Sequence, residues 1–282
     1  MACAPTAGAL AAAFLAAGVR PGAVLLIHTS LSSLAAEPGG AAPSPDTVID
    51  ALLAALGPSG TLLIPTLSYL FVNAASPTFD ARTTPTNLGA IPAAMLRRPG
   101  VLRSLHPTHS VAALGALAQE LTRDHALDRT PVGPHSPFCL VRAHGGQIAF
   151  LGCGTRCNTS IHGVEEALRP APPPYLLLTD PIRYTVVDAA GRAEEVQHLR
   201  HDFAGTGQRY ERLCALVPPG AYARTQVGRG ALEIFEAQPL WDAATELLTR
   251  DAGALTEQAQ EGHTLKPGRD AAGNEYFSYT VG

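Results

Sequence analysis

Two uninterrupted apolar runs, "AVLLIH" (23–28) and "GTLLIP" (60–65), bracket the segment "SPDTVIDALLAALG", and this arrangement restricts the fold more than any other feature of the chain. An apolar run without polar alternation suits a strand covered on both faces, as the strands of a parallel sheet are. The segment between them is a helix by its own signals. Ser44 is the N-cap and Pro45 the first helical residue; apolar residues fall at 48, 49, 52, 53 and 56, and Gly57 is the stop. Strand, loop, helix and strand together make a βαβ crossover, almost always right-handed.

The same signatures recur downstream. "SVAALG" and "QIAFLG" (147–152) are further buried strands, and "SPFCLVRAHGG" between them is a helix with Ser136 as N-cap. "GALAAAFLAAG" reads as a short helix ended by Gly18 and Pro21. "YTVVDAAGRAEEVQHLRHDF" reads as two antiparallel strands joined at Ala189 to Gly191, and "LWDAATELLTRD" as an amphipathic helix. There is no internal repeat and no linker. The expectation is one α/β domain spanning 1–282, with a mostly parallel central sheet flanked by helices and a smaller antiparallel β/α C-terminal part. The polar, glycine-rich tail (251–282) carries little signal.

Composition narrows the function. A net charge of −4 gives no electrostatic reason to bind nucleic acid or an anionic membrane. Residues 51–79 hold no charged side chain, yet Pro58, Gly60 and Pro65 break them too often for a membrane helix. The apolar N-terminus lacks the basic residue that precedes a secretory hydrophobic run. Five cysteines (3, 139, 153, 157, 214) form an odd, scattered set, which fits a reducing cytoplasm better than a disulfide framework.

The densest chemistry lies in "CGTRCNTSIHGVEEAL" (153–168), which admits three readings. Cys153, Cys157 and His162 are possible metal ligands, but no second cluster accompanies them, and no metal is expected. Cys157, just before a helix start, is a possible nucleophile. In the third reading "QIAFLG" delivers the chain to a strand's C-terminal end, where α/β folds place their sites. Thr159 or Ser160 caps the helix that follows, and Glu165 and Glu166 lie three and four residues beyond His162 on one face. The positive helix end favours neutral imidazole and the carboxylate favours the charged form, a balance suited to a general base. Spacing alone does not choose among the three.

The run as a whole is more specific. "LLIHTSLSSL", "VIDALLAALGPSGTLLIPT", "TPTNLGAIPAAMLRRPGVLRSLHPTHSVAALG", "SPF" and "LGCGTRCNTSIHGVEEA" occur in order. This series resembles the aminoglycoside 3-N-acetyltransferase family, antibiotic N-acetyltransferases outside the GNAT fold. The likeness covers about residues 10–250 and is strongest over 24–170.

The resemblance implies acetyl-CoA as co-substrate and an amine acceptor, by default the 3-amino group of a 2-deoxystreptamine drug. On the match to "NTSxHxxE", His162 is implied as general base and Glu165 as the acid that orients the imidazole or holds a substrate amine. Asn158, Thr159 and Ser160 are implied as oxyanion or substrate donors, with Tyr69 on the acceptor side. Donor binding is implied for Thr29, Ser30, Leu31 and Ser32 after the first strand, for Arg103, His106 and Ser110, and for Ser136 and Phe138 at a helix start. The chain departs from many drug-modifying relatives in "VQHLRHDF", where Asp202 is the single acid and the candidate second carboxylate behind the histidine. Because polycationic drugs call for acidic pockets, an amine of secondary metabolism is the alternative acceptor. A non-catalytic CoA- or nucleotide-binding relative and a Cys157 hydrolase are the other readings. The expected partners are small molecules, with a homodimer left open.

Overall fold

In the computed structural model, which describes residues 4–34, 41–173, 176–177, 180–203, 206–258, 265–269 and 275–279, the two apolar runs are neighbouring parallel strands. The chain runs through α1 (Ala7–Ala16), β1 (Val24–Thr29), α2 (Pro45–Leu56), β2 (Thr61–Pro65), β3 (Thr78–Asp80), α3 (Ala90–Met95), β4 (Leu102–Arg103), β5 (Val111–Gly115), α4 (Ala118–Thr122), α5 (Pro137–Ala143), β6 (Gln147–Leu151) and α6 (Ile161–Ala167). It continues through β7 (Ile182–Val187), β8 (Ala193–His198), β9 (Thr206–Gln208), β10 (Tyr222–Val227), β11 (Gly230–Glu236), α7 (Ala237–Arg250), β12 (Thr256–Gln258) and a hairpin of β13 (Leu265–Arg269) with β14 (Glu275–Tyr279). Residues 259–264, 270–274 and 280–282 of the tail, and Cys3, lie outside the described residues.

Seven strands form the main sheet in the order β10-β11-β6-β1-β2-β5-β4. Its centre, β6-β1-β2, is parallel, and both wings are antiparallel: β5 and β4 beyond β2, β11 and β10 beyond β6. Both wings are reached through long connections, from β2 to β5 by way of α3 and from β6 to β11 by way of α6, and each then runs antiparallel to the strand it joins. Alternate residues of each strand feed two cores. Leu26, Leu63, Val111, Ile148 and Phe150 face α4, α5, α6 and α7. Leu25, Ile27, Leu62, Ile64 and Leu151 face α1, α2 and α3. Each fully buried Leu or Ile contributes about 2 kcal/mol, and burial on both faces is why these strands show no polar alternation.

The predicted caps hold at two helices. Ser44 Oγ accepts from Thr47 N at 3.1 Å, and Ser136 Oγ accepts from Phe138 N at 3.3 Å. The predicted hairpin is β7-β8, joined through Asp188–Gly191; β3 extends it, in parallel with β7, to a three-stranded sheet over a small core of Val72, Phe79, Tyr184, Val186 and Val196. Among the described residues no helix is long and apolar enough to cross a membrane.

Candidate active site

The site begins where β6 ends. Gly152 (φ +77°) turns the chain under the β1 exit, where a Cβ would run into the Ser33 hydroxyl. A 3-10 turn, Thr155–Cys157, then leads into α6. Gly163 lets α6 press against its neighbours, since a Cβ there would stand 2.7 Å from both Cys139 Sγ and the Trp241 ring. The loop is pinned to β11 by Glu233, whose Oε2 accepts from Thr155 N at 3.0 Å.

The start of α6 differs from the sequence expectation. The Ser160 hydroxyl makes no cap bond; it donates to Asn158 Oδ1 (2.5 Å), which also accepts from Ser160 N (3.1 Å). Asn158 is thus the residue that closes the turn, and this fixes its amide orientation. Its Nδ2 is buried without a partner, an uncommon state for a donor.

His162 is buried, and its Nδ1 lies 2.8 Å from Glu165 Oε2, three residues along the helix. Glu165 is itself fully buried. Tyr210, from far along the chain, donates its hydroxyl to Glu165 Oε2 at 3.2 Å and lies 3.0 Å from His162 Nδ1. A carboxylate at Nδ1 selects the tautomer with hydrogen on Nδ1 and the lone pair on Nε2. Phe203 and His201 pack on the same ring, with centroids 5.2 and 4.5 Å away.

The adjacent glutamate makes a second histidine pair. Glu166 Oε1 accepts from His201 Nε2 (2.8 Å) and Val132 N (2.9 Å), and its Oε2 accepts from the Thr130 hydroxyl (2.5 Å). Burial pushes the Glu166 carboxyl up to about 8, and burial with the nearby His162 and His109 holds His201 well below the usual imidazole range. Both shifts bias the pair toward its neutral forms. Glu165 and Glu166, consecutive on one short helix, grip two histidine rings that meet edge to face.

The remaining predicted residues divide into two groups. Thr29 closes β1, with its hydroxyl buried and unpartnered. Ser30 N donates to Leu151 O at 2.8 Å, its hydroxyl lies 3.4 Å from that of Ser32, and Leu31 packs on the core below. A cavity of about 70 Å3 opens beside them, lined by His28, Thr29, Pro65, Leu88, Cys153 and Cys157 among others. Thr159, nearly buried, accepts from His162 N at 3.2 Å through its carbonyl. The Tyr69 ring lies 6.1 Å from His109, which lies 5.2 Å from His201. Asp202 sits between His201 and Phe203, with its N–H on Leu176 O; the carboxylate on His162 Nδ1 is that of Glu165.

Arg103, His106, Ser110, Ser136 and Phe138 are engaged by the fold instead. Arg103 donates to Ser110 Oγ, Thr84 O and Thr66 O and stacks on Phe79, and burial lowers it to about 10. His106 is wholly buried; Nδ1 accepts from Thr108 N and His109 N, and Nε2 donates to Thr130 O. Ser110 is bonded to Thr66, Ser136 is the α5 cap, and Phe138 is core. Sequence reasoning missed two residues. Tyr210 carries no motif. His28 looked like a strand end, but its ring stacks between Phe150 and Phe138 with Nε2 unpartnered, and burial, then His162, lowers it to about 3.

Cys157 Sγ donates to Cys153 O at 3.5 Å, while His162 is committed to Glu165. Among the described residues no three His, Cys, Asp or Glu side chains converge as a metal set.

Comparison with known proteins gives the family and the fold. The family model described as aminoglycoside 3-N-acetyltransferase matches residues 26–249. Aminoglycoside N(3)-acetyltransferase VII of Streptomyces paromomycinus is 34% identical over 238 residues, 78% of each chain. Enzyme IV of a Salmonella species is 39% identical over 150 residues, about half of each chain (52% and 54%). A point mutant of aminoglycoside acetyltransferase AAC(3)-IVa, solved in complex with a gentamicin, superposes with a TM-score of 0.74 at 29% identity, covering 90% of this chain and 92% of that one. AAC-IIIb, solved as a binary complex with CoASH, shares the fold at 24% identity, with a TM-score of 0.71 over 88% of this chain and 97% of that one. The chain belongs to the aminoglycoside 3-N-acetyltransferase family, a family of N-acyltransferases.

Proposed function

We propose that this protein transfers an acetyl group from acetyl-CoA to the 3-amino group of a 2-deoxystreptamine aminoglycoside, with His162 as general base. The observation that carries the reading is the buried His162–Glu165–Tyr210 arrangement, in which Nδ1 is held and Nε2 is left to take a proton. Acetyl-CoA supplies the acyl group as a thioester. Its donor arm is assigned to the cavity at the end of β1, where His28 Nε2 and Thr29 Oγ1 are buried polar atoms that lack partners. An amide of the pantetheine arm offers the hydrogen bonds those atoms lack.

His162 Nε2 removes the amine proton as the nitrogen attacks, directly or through one water. Glu165 stabilises the imidazolium formed at that moment, and Tyr210 keeps the carboxylate facing Nδ1. Asn158 Nδ2 is the chosen donor for the thioester oxygen, with the Thr159 hydroxyl beside it, because it satisfies no group in the fold. Asp202 and Tyr69 are assigned to the acceptor side. Asp202 provides the negative charge that a polycation requires next to the His201–Phe203 wall.

The test is release of free thiol from acetyl-CoA, followed with a disulfide reagent, in the presence of gentamicin or kanamycin. Drug-dependent release supports the proposal; release with small amines alone moves the acceptor.

A further inference from the structure

The third reading leaves the two cysteines of "CGTRC" without a task, and the structure brings them together. Thr155–Cys157 coil into the 3-10 turn, so Cys157 folds back over Cys153, and its Sγ reaches the Cys153 carbonyl at 3.5 Å. Cys157 is exposed and Cys153 partly buried. Both line the cavity that also holds His28 and Thr29, at the C-terminal ends of β1 and β6. A third thiol, Cys214, lies nearby but bonds Thr155 Oγ1 at 3.6 Å.

The two thiols differ in access. Cys157 is exposed and Cys153 partly covered, and both line one cavity. The exposed thiol is the one a bulky disulfide can reach, and its neighbour four residues back, whose carbonyl the Cys157 Sγ already meets, is placed to resolve the product. Acyl transfer from CoA would also release a small thiol at this wall of the site.

We propose that Cys153 and Cys157 form a thiol–disulfide exchange site in the donor cavity, and that its ligand is the disulfide of CoA. Cys157 thiolate attacks one sulfur of CoA disulfide, forming a Cys157–CoA mixed disulfide and expelling one CoA thiolate. Cys153 then loses its proton and attacks the Cys157 sulfur, breaking the mixed disulfide and expelling the second CoA thiolate. Two cysteine thiols become one disulfide, one CoA disulfide becomes two CoA thiols, and the two protons end on the departing thiolates. The new bond draws the turn before Asn158 and His162 inward and blocks the cavity. The choice of CoA as ligand rests on the function proposed above; the pairing of the two thiols does not.

The experiment treats the full-length reduced protein with CoA disulfide or, in parallel, oxidised glutathione, and reads intact mass and linked peptides. Expected is loss of two hydrogen atoms with a Cys153–Cys157 linkage, faster with CoA disulfide. Cys153→Ser should stop at a CoA adduct on Cys157, and Cys214→Ser should behave as wild type. Acetyl-CoA binding should be lost on oxidation and restored by dithiothreitol. Failure to form the linkage, a linkage to Cys214, or equal rates with oxidised glutathione would overturn the proposal. If the reduced protein lacks transferase activity while the linkage still forms, the fault lies with the assigned function and the thiol pairing stands.

Discussion

Replacing Glu165 by Gln removes one charge from a site that otherwise keeps its shape, and the cost can be worked from the geometry. The carboxylate oxygen stands 2.8 Å from His162 Nδ1, and the two side chains are 1% and 8% exposed, so water screens the pair poorly. Charges about 4 Å apart at an effective dielectric near 20 interact by about 4 kcal/mol, and a hydrogen bond to a charged group is worth about 2 kcal/mol net. Because the imidazolium forms only as the amine gives up its proton, this energy falls on the chemical step. At about 1.4 kcal/mol per decade, kcat should drop by about 30- to 1,000-fold. The assay is steady-state thiol release with both substrates varied, on protein whose melting temperature matches wild type. KM for acetyl-CoA should hardly move. A kcat within about threefold of wild type, or a loss confined to the KM of the drug, would refute the reasoning and make Glu165 an acceptor-binding residue.

Tyr210→Phe removes only the hydroxyl that steers that carboxylate, and should lower kcat by about five- to thirtyfold, from about 1–2 kcal/mol; an unchanged rate in the same assay would reduce Tyr210 to a packing residue. Acid stability should be poor. His28, His106, His109, His125, His198 and His201 are all held below the usual imidazole range, chiefly by burial. Folded values below unfolded ones contribute stability that is present above about pH 6.5 and is lost as pH falls. Six such groups act in the same direction. Circular dichroism melts should collapse between pH 6.5 and 5; a melting temperature that is flat over that range would contradict the burial argument. Glu166, raised to about 8, acts in the opposite sense, and its contribution fades as pH rises through that value.

The parallel centre was legible because burial on both faces writes unbroken apolar runs, and α2 and α5 because Ser–Pro starts are local signals. His162 and Glu165 were legible because three residues on a helix place two side chains together without help from the rest of the fold. The other features come from distant parts of the chain. Tyr210 is 48 residues from His162, and His201 is 35 from Glu166, separations at which no spacing rule applies. The direction of the wing strands is equally silent, since an apolar strand reads alike in either sense. Arg103, His106 and Ser110 gave a different difficulty. Polar residues that serve ligands and polar residues that tie loops look identical until their hydrogen bonds are counted. At Asn158 the ambiguity was local: two adjacent hydroxyls and an amide stand before α6, and the amide closes the turn at Ser160 while the helix start takes no side-chain cap.

The most direct test of the general-base assignment is kcat of His162→Ala at saturating acetyl-CoA and aminoglycoside, with and without added imidazole. The proposed chemistry predicts a fall of about 100- to 10,000-fold, with KM for acetyl-CoA preserved and part of the rate recovered by imidazole. A variant that turns over within about threefold of wild type would contradict it, because His162, with Nδ1 held by Glu165, is the group assigned to take the amine proton.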